Sequence, residues 1–195
     1  MILPIVAYGD PVLRKKAVDI ESNYTNLKIL IADMQETMHA ASGVGLAAPQ
    51  IGKSIRLFVI DATPFGEDKE DDTISKKERE FLKKFNRVFI NAQIEEEQGT
   101  EWKFNEGCLS IPKIREDVLR KPTIKITYLD ENFEEHTEEF SGIAARIIQH
   151  EYDHIDGKLF TDRISPLRRR LLQGKLTNIS KGKVDVDYKM KFPLR

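Results

Sequence analysis

The chain has 195 residues; 40% are hydrophobic, 32% are charged, and 31 basic side chains nearly balance 32 acidic ones. This length predicts one globular domain that needs neither disulfides nor a metal merely to stay folded. A net charge of -1 gives no general reason to expect nucleic acid as a partner, and no apolar stretch approaches the ~18 residues of a membrane span. The start lacks the basic region of a signal peptide, and the lone Cys108 cannot form an internal disulfide, so a reducing, intracellular location is expected.

Two amphipathic helices are predicted from apolar residues that recur at three- and four-residue spacing. The first covers about 25–41, and the second covers 141–157 with Ser141 as its N-cap. One face of the second helix carries Ile143, Ile147, His150 and His154. Because neighbouring positions are apolar too, the second helix is predicted to be the buried one.

Runs of β-branched and aromatic residues predict strands over 55–60 and 88–94. Residues 124–128 and 133–140 are predicted to form a hairpin around a turn-prone connection. Mixed strands with few helices and no βαβ alternation predict an α+β fold. Mixed or antiparallel sheets would pack around the helix at 141–157, with an additional N-terminal helix and a C-terminal helix–strand extension.

Two segments are predicted to be peripheral because of their charge. Residues 63–85 form a charged, poorly patterned insertion, which is expected to be exposed and mobile and to end in a short helix. The C-terminal end is basic instead, with a short helix predicted around 167–172 and an alternating strand over 184–190.

An H-E-x-x-H motif occupies residues 150–154 of the second helix. Histidines four residues apart lie on one helix face, so His150 and His154 can bind one divalent ion while Glu151 acts on a water that the ion holds. A helix that merely carries two histidines is the alternative. We favour the metal site because the face is apolar and the chain has four histidines in total.

A catalytic metal site commonly has three protein ligands, so a third is needed. Two protease patterns fail to supply it: Glu151 is the last glutamate of the chain, and Phe160 stands where the longer pattern requires a histidine. The spacing leaves open Asp156, Asp162, Asp185, Asp187, His39, His136 and Cys108. Cys108 is favoured because its glycine-containing segment, E-G-C-L-S-I-P, could bring thiolate and backbone N–H groups to a metal. A small buried hydrophobe is the other interpretation of this cysteine.

A glycine-containing segment, G-V-G-L-A-A-P-Q, lies between the first helix and the strand that follows it, at residues 43–50. Its two glycines permit close approach of a ligand to the backbone, and Gln50 offers a neutral donor. Alone, the segment could be a tight helix-to-strand connection. It matches no phosphate-binding loop.

These three segments together resemble the signature motifs of peptide deformylase. The matching residues are G-V-G-L-A-A-P-Q at 43–50, E-G-C-L-S at 106–110 and Q-H-E-Y-D-H at 149–154. The resemblance extends from Leu3 to about Pro166, so residues 1–166 would form the catalytic domain and 167–195 a basic C-terminal extension. It implies a cytoplasmic hydrolase that removes the formyl group from the N-terminal formyl-methionine of nascent polypeptides and releases formate.

The resemblance also implies the roles of individual residues. The metal ligands would be Cys108, His150 and His154. The ion would be Fe2+, with Zn2+, Ni2+ or Co2+ as possible substitutes. Glu151 would accept a proton from the attacking water and deliver it to the leaving nitrogen. The Gln50 amide and the Leu109 backbone N–H would stabilise negative charge on the formyl oxygen.

A substrate-binding set follows from the same motif positions. Its members are Gly43, Val44, Gly45, Phe104, Glu106, Gly107, Ile143, Arg146 and Ile147. The four larger apolar members would line a pocket for methionine, while backbone groups near Val44, Gly45 and Gly107 would hold the nascent chain as an added strand. Arg146 is less expected in such a pocket: its stem could line the rim while its charge reaches water, or it could point elsewhere.

Two other functions are compatible with parts of the sequence. An endopeptidase could use the same metal and glutamate, with an aspartate after the helix as the third ligand. An RNA- or ribosome-binding module could depend mainly on the basic tail. We expect weak, salt-sensitive, transient ribosome association, and we expect neither a membrane nor specific DNA as a partner.

Overall fold

The computed structural model describes residues 1–70 and 72–193. Its strands, in chain order, are β1 (Ile5–Val6), β2 (Gly45–Ala47), β3 (Leu57–Asp61), β4 (Asn86–Gln98), β5 (Trp102–Cys108), β6 (Ile111–Arg120), β7 (Thr123–Leu129), β8 (Glu135–Ser141) and β9 (Met190–Lys191). Its α-helices are α1 (Leu27–Ala40), α2 (Thr63–Glu67), α3 (Lys76–Leu82), α4 (Gly142–Ile155) and α5 (Pro166–Ser180). The prediction of a mixed fold with antiparallel sheets is confirmed.

The largest sheet has five strands in the order β2-β3-β4-β7-β8, and every neighbouring pair is antiparallel. Alternate residues of β3 belong to different apolar clusters, because successive side chains of a strand point to opposite faces. Phe58 shares one cluster with Ile147 and Ile148 of α4, whereas Val59 shares another with Met34 of α1. The sheet therefore has α4 on one face and α1 on the other.

The beginning of α4 is capped from an unexpected part of the chain. Ser141 occupies the N-cap position, as predicted, but its side chain makes no capping hydrogen bond. Instead, the Ile143 backbone N–H donates to Glu78 Oε1 at 2.8 Å. A free N–H at a helix start needs an acceptor, and α3 supplies one from within the charged segment.

The segment over 63–85 differs from its predicted exposure. Ile74, Leu82 and Phe85 are buried in the same apolar cluster as the inner face of α4. The exposed side chains of this segment are mostly its charged ones. Because charged residues dominate its composition, the apolar residues that anchor it are not recognisable from the sequence pattern. The expectation of an exposed segment was therefore wrong for these positions.

The hairpin of β5 and β6 was not predicted. Its strands pair in antiparallel register from Trp102↔Arg120 to Gly107↔Arg115, with an irregularity before Cys108. The buried face of this hairpin includes charged side chains, so it lacks the alternation of apolar and polar residues that identifies a strand. This hairpin brings Cys108 towards α4.

The two ends of the described chain meet in a small parallel sheet, in which Ile5 is opposite Met190 and Val6 is opposite Lys191. The helix α5 is longer than the short helix predicted around 167–172, and it buries Leu172 and Leu176. The predicted strand over 184–190 is reduced to β9 at its end. None of the helices described above is both long and apolar enough to cross a bilayer.

Candidate metal centre and catalytic site

The end of β5 and one face of α4 bring three metal-binding side chains together. Donor atoms of Cys108, His150 and His154 all lie within 4.8 Å of one another, and Cys108 Sγ is 3.3 Å from His154 Nε2. Within the described residues, Cys108 is the third member of the group that contains both histidines of the motif. The sulfur and the imidazole pair thus converge although 42 positions separate Cys108 from His150 along the chain.

The other candidate ligands are engaged elsewhere or lie outside the group. His39 Nε2 is 2.8 Å from Asp61 Oδ2, and His136 Nε2 is 2.8 Å from Asp130 Oδ2. Asp156 accepts a hydrogen bond from Arg56 at 2.9 Å. The aspartates that remain, Asp162, Asp185 and Asp187, are not members of the group that includes the two histidines.

The donor set fits a divalent transition metal. Glu106 Oε2 lies 2.9 Å from His150 Nδ1. Burial opposes ionisation of Glu106, but hydrogen bonds from Arg120 and His150 outweigh it and hold the pKa of that carboxyl well below its usual range. Because an ionised carboxylate can only accept, His150 donates from Nδ1 and keeps Nε2 free to bind an ion. One thiolate and two imidazoles then leave a fourth coordination position open.

A buried ion network, comprising Glu106, Arg120, Arg146 and Asp153, supports this histidine. Arg120 donates to Glu106 at 2.7 and 2.9 Å and to Asp153 at 2.8 Å. Arg163 also donates to Asp153, with both contacts at 2.6 Å. Each buried carboxylate therefore faces at least two cationic side chains, which compensates for the loss of water around it.

Of the two orientations considered for Arg146, the one in which its charge reaches water is wrong, and the side chain points inward instead. The side chain is 2% exposed, and its guanidinium lies 4.5 Å from the centre of the Trp102 ring. It donates to Glu106 at 3.0 Å, to the Val118 carbonyl at 3.0 Å and to the Trp102 carbonyl at 2.7 Å. The buried acceptors of the hairpin hold the charge inside, where it completes the ion network. The carboxylate of Glu106 contacts Arg120, Arg146 and His150, and the residue also lines the cavity described below.

Glu151 is buried beside the backbone of Gly45. An ideal Cβ on Gly45 would lie 2.7 Å from Glu151 Cδ, closer than real Cβ contacts come. Glu151 Oε2 has no hydrogen-bond partner among the residues that the structure describes. Burial raises the pKa of Glu151 to about 7. A carboxyl with a pKa near neutrality can both accept and release a proton, which suits general acid–base chemistry.

The side-chain amide of Gln50 has a fixed orientation. Its Oε1 accepts the Ala47 backbone N–H at 2.8 Å, which directs Nε2 towards Cys108 Sγ at 3.5 Å and Ser110 Oγ at 3.3 Å. Leu109 lies between those last two residues, in the two-residue turn that joins β5 to β6. The two residues predicted to supply oxyanion donors, Gln50 through its side chain and Leu109 through its backbone, therefore lie next to Cys108.

A cavity of about 600 Å³ opens over this centre. Among the predicted site residues, its lining includes Gly43, Val44, Gly45, Gln50, Phe104, Glu106, Gly107, Cys108, Leu109, Arg146, Ile147, His150 and Glu151. Ile143 is not part of the lining; it is 4% exposed and packs in the core between α4 and the sheet. Ile143 shares a helix face with Ile147 but lies one turn further from the metal group.

Sequence reasoning missed several contributors to this site. Phe65 lines the cavity from the charged segment, and Val186, Asp187 and Tyr188 line it from the C-terminal segment. Phe65 follows a Thr-Pro helix start, which was a usable signal for an ordered segment. Nothing in the local sequence could indicate that Arg120 joins the ion network, because its partners come from β5 and α4.

Comparison with known proteins identifies relatives over nearly the whole chain. A family model described as polypeptide deformylase matches residues 2–170. A peptide deformylase of Christiangramia forsetii is 61% identical over 193 residues, which are 99% of this chain and 97% of that protein. One from Cytophaga hutchinsonii is 52% identical over 195 residues and is covered completely, as is this chain. The crystal structure of a peptide deformylase from Legionella pneumophila aligns with a TM-score of 0.77 at 38% identity, over 94% of this chain and 98% of that one.

Proposed function

The chain belongs to the polypeptide deformylase family, and from this premise we propose how its own residues perform the reaction. The family is metal-dependent and acts on formylated nascent polypeptides, and the chain is a hydrolase that removes their N-formyl group. Neither the endopeptidase nor the RNA-binding interpretation has support from the relatives described above, which are named as peptide deformylases.

The metal would be held by Cys108, His150 and His154. The single observation that carries this proposal is the convergence of one sulfur and two imidazole nitrogens within 4.8 Å. When bound there, a divalent ion would supply Lewis-acid chemistry to oxygen atoms at the site. We propose Fe2+ as the ion, with Zn2+, Ni2+ or Co2+ as substitutes, because thiolate and imidazole ligands bind all four ions. The sheets would pack around α4, and this helix would also supply two of the three ligands.

Glu151 would move the proton. Its burial and its pKa near neutrality support a role first as the base that takes a proton from the attacking water. As the tetrahedral carbon collapses, the same carboxyl would deliver that proton to the leaving nitrogen, so that a free amine and formate are produced. The unpartnered Oε2 atom is available for both transfers.

Gln50 and Leu109 would stabilise the developing negative charge on the formyl oxygen. The contact between Gln50 Oε1 and the Ala47 N–H fixes the side-chain amide before substrate arrives. A donor that is already oriented loses little entropy in the transition state, which makes it effective in catalysis. Glu106 would act as a positioning residue, because its carboxylate accepts from His150 Nδ1 and so orients the imidazole ring.

The cavity suits a methionine side chain next to the reacting carbon. Val44, Phe65, Phe104 and Ile147 supply apolar lining. The short strand β2, which includes Gly45, could pair with the nascent chain through backbone hydrogen bonds. Main-chain recognition tolerates many side chains, as expected for an enzyme that processes many nascent proteins.

We also propose transient ribosome association in the cytoplasm. The helix α5 presents Arg170 and Lys175 on its exposed surface, next to the exposed Leu167 and Leu171. Basic side chains attract the phosphate backbone of RNA in a salt-dependent manner. Co-sedimentation of the protein with ribosomes should therefore weaken as salt increases, and the double variant Arg170→Glu, Lys175→Glu should sediment less. Equal sedimentation of both proteins would contradict a role for this surface.

Formate release from formyl-Met-Ala-Ser tests the proposed activity. The protein should be purified without oxygen and its metal content measured by elemental analysis. We expect formate to be released in proportion to bound metal, with no cleavage of an internally cleavable control peptide. Cleavage of the control peptide without formate release would contradict the proposal.

Loss of activity in air should be faster for the Fe2+ form than for the Zn2+ form, because Fe2+ can be oxidised and Zn2+ cannot.

A further inference from the structure

The turn between β5 and β6 is held by both terminal segments of the chain. The Tyr188 hydroxyl donates to the Leu109 carbonyl at 2.7 Å. The Tyr8 backbone N–H donates to the carbonyl of the next residue, Ser110, at 2.8 Å. Both carbonyls of this two-residue turn therefore have donors that come from outside the hairpin.

The two segments that supply these donors are bound to each other. Ile5 N–H donates to the Lys189 carbonyl at 2.8 Å, and Ala7 N–H donates to the Lys191 carbonyl at 2.9 Å. These bonds flank the parallel pairing of β1 with β9. Tyr188 is thus held directly beside a paired strand, which limits the positions available to its hydroxyl.

Leu109 is also fixed through its side chain. Its Cδ1 lies 2.8 Å from the position that a Cβ would take on Gly43, so the side chain fills the space that this glycine leaves. Leu109 and Tyr188 both pack against the apolar cluster under α1, and both line the cavity over the metal-binding group. Packing against Gly43 therefore holds the Leu109 side chain, and the hydrogen bond from Tyr188 holds its backbone carbonyl.

We propose that Tyr188 is a positioning residue for deformylation: its hydroxyl anchors the Leu109 carbonyl and thereby aims the Leu109 N–H at the formyl oxygen. The carbonyl and the N–H of Leu109 flank one Cα atom, so restraining the carbonyl restrains rotation of the backbone at that residue. The inference rests on the role proposed above for Leu109. Tyr188 lies beyond residue 170, where the match to the family model ends.

The variant Tyr188→Phe tests this role, because it removes the hydroxyl and keeps the ring that lines the cavity. We expect kcat for formyl-Met-Ala-Ser to fall roughly 3- to 10-fold, the range for one neutral hydrogen bond, while KM changes less than about twofold. We also expect faster amide hydrogen exchange in residues 106–111 of the full-length protein. Exchange reports on the turn independently of catalysis.

Tyr24→Phe is the matched control, since Tyr24 packs near the start of α1 and does not line the cavity. It should leave kcat and exchange of the turn unchanged. Unchanged kcat and exchange in Tyr188→Phe would overturn the proposal, and so would a rise in KM alone, which would make Tyr188 only a wall of the cavity. Absence of formate release by the wild-type, metal-loaded protein would instead refute the proposed function, and exchange would still report whether the hydroxyl holds the turn.

Discussion

Glu151 packs against Gly45 so closely that the backbone at this position cannot carry a side chain without displacing the carboxyl. A Cβ on Gly45 would lie 2.7 Å from Glu151 Cδ and closer still to Oε1. We therefore expect Gly45→Ala to reduce kcat/KM for formate release about 100-fold, the effect of misplacing a catalytic group by roughly 1 Å. Gly174→Ala is the matched control, because a Cβ at this position of α5 meets nothing within 4 Å. Wild-type activity in Gly45→Ala would contradict the proposed position of the proton acceptor.

Replacing the carboxyl itself should separate proton transfer from metal binding. Glu151→Gln keeps the size of the side chain and removes its basicity, so we expect kcat to fall roughly 10²- to 10⁴-fold. Metal content should remain that of the wild type, because Glu151 is not among the three proposed ligands. Elemental analysis and formate release on one preparation measure both quantities. Loss of metal together with activity would place Glu151 among the ligands instead.

The buried ion network should contribute to stability as well as to the orientation of His150. Arg120→Met removes the cation that joins Glu106 to Asp153 and leaves fewer partners for both buried carboxylates. We expect the free energy of unfolding to fall by about 3–5 kcal/mol, as measured by denaturant titration. Lys83→Met is the control, because it breaks an exposed pair with Glu80 and should lower the free energy of unfolding far less. Similar losses of unfolding free energy in both variants would mean that the buried network stabilises the fold no more than an exposed ion pair does.

A pH-dependent contribution is expected from Asp61. Burial opposes its ionisation, but hydrogen bonds from Thr63 and His39 outweigh burial and lower its pKa from the ordinary 3.8. A carboxyl whose pKa is lower in the folded state stabilises the fold above about pH 4, and this contribution is lost as the pH falls through its folded value. Asp61→Asn should therefore destabilise the protein at pH 7, and the effect should be smaller near pH 3.

Denaturant unfolding at the two pH values measures this difference. The exposed Asp185, changed to Asn, is the control and should have little effect at either pH. An equal loss of stability in Asp61→Asn at both pH values would show that the charge of Asp61 is not responsible.

The parts of the fold that were predictable are those with local patterns. The spacing of apolar residues in α1 and α4 reports directly on the face that each helix buries, and Ile124, Ile126 and Tyr128 alternate as one strand of a half-buried sheet must. The pairing of His150 with His154 was also predictable from local sequence, because residues four apart lie on the same face of a helix.

The rest depends on contacts between distant segments. Arg146 looks like a residue whose charge should reach water, and its burial is explained by acceptors from the β5–β6 hairpin, among them the Glu106 carboxylate. The charge of the segment around α3 is equally misleading, because Leu82 and Phe85 are buried although the segment also contains exposed charged residues such as Lys69, Lys76 and Lys77. Pairing across the sheet and burial of ions are properties of two segments at once, so neither has a signature in one stretch of sequence.

X-ray absorption at the metal edge of the Fe2+- or Zn2+-loaded protein tests the proposed ligand set most directly. We predict one sulfur and two imidazole nitrogens around the ion, with the sulfur contribution lost in Cys108→Asp and retained in Glu151→Gln. A coordination shell without sulfur in the wild-type protein would contradict the site built from Cys108, His150 and His154.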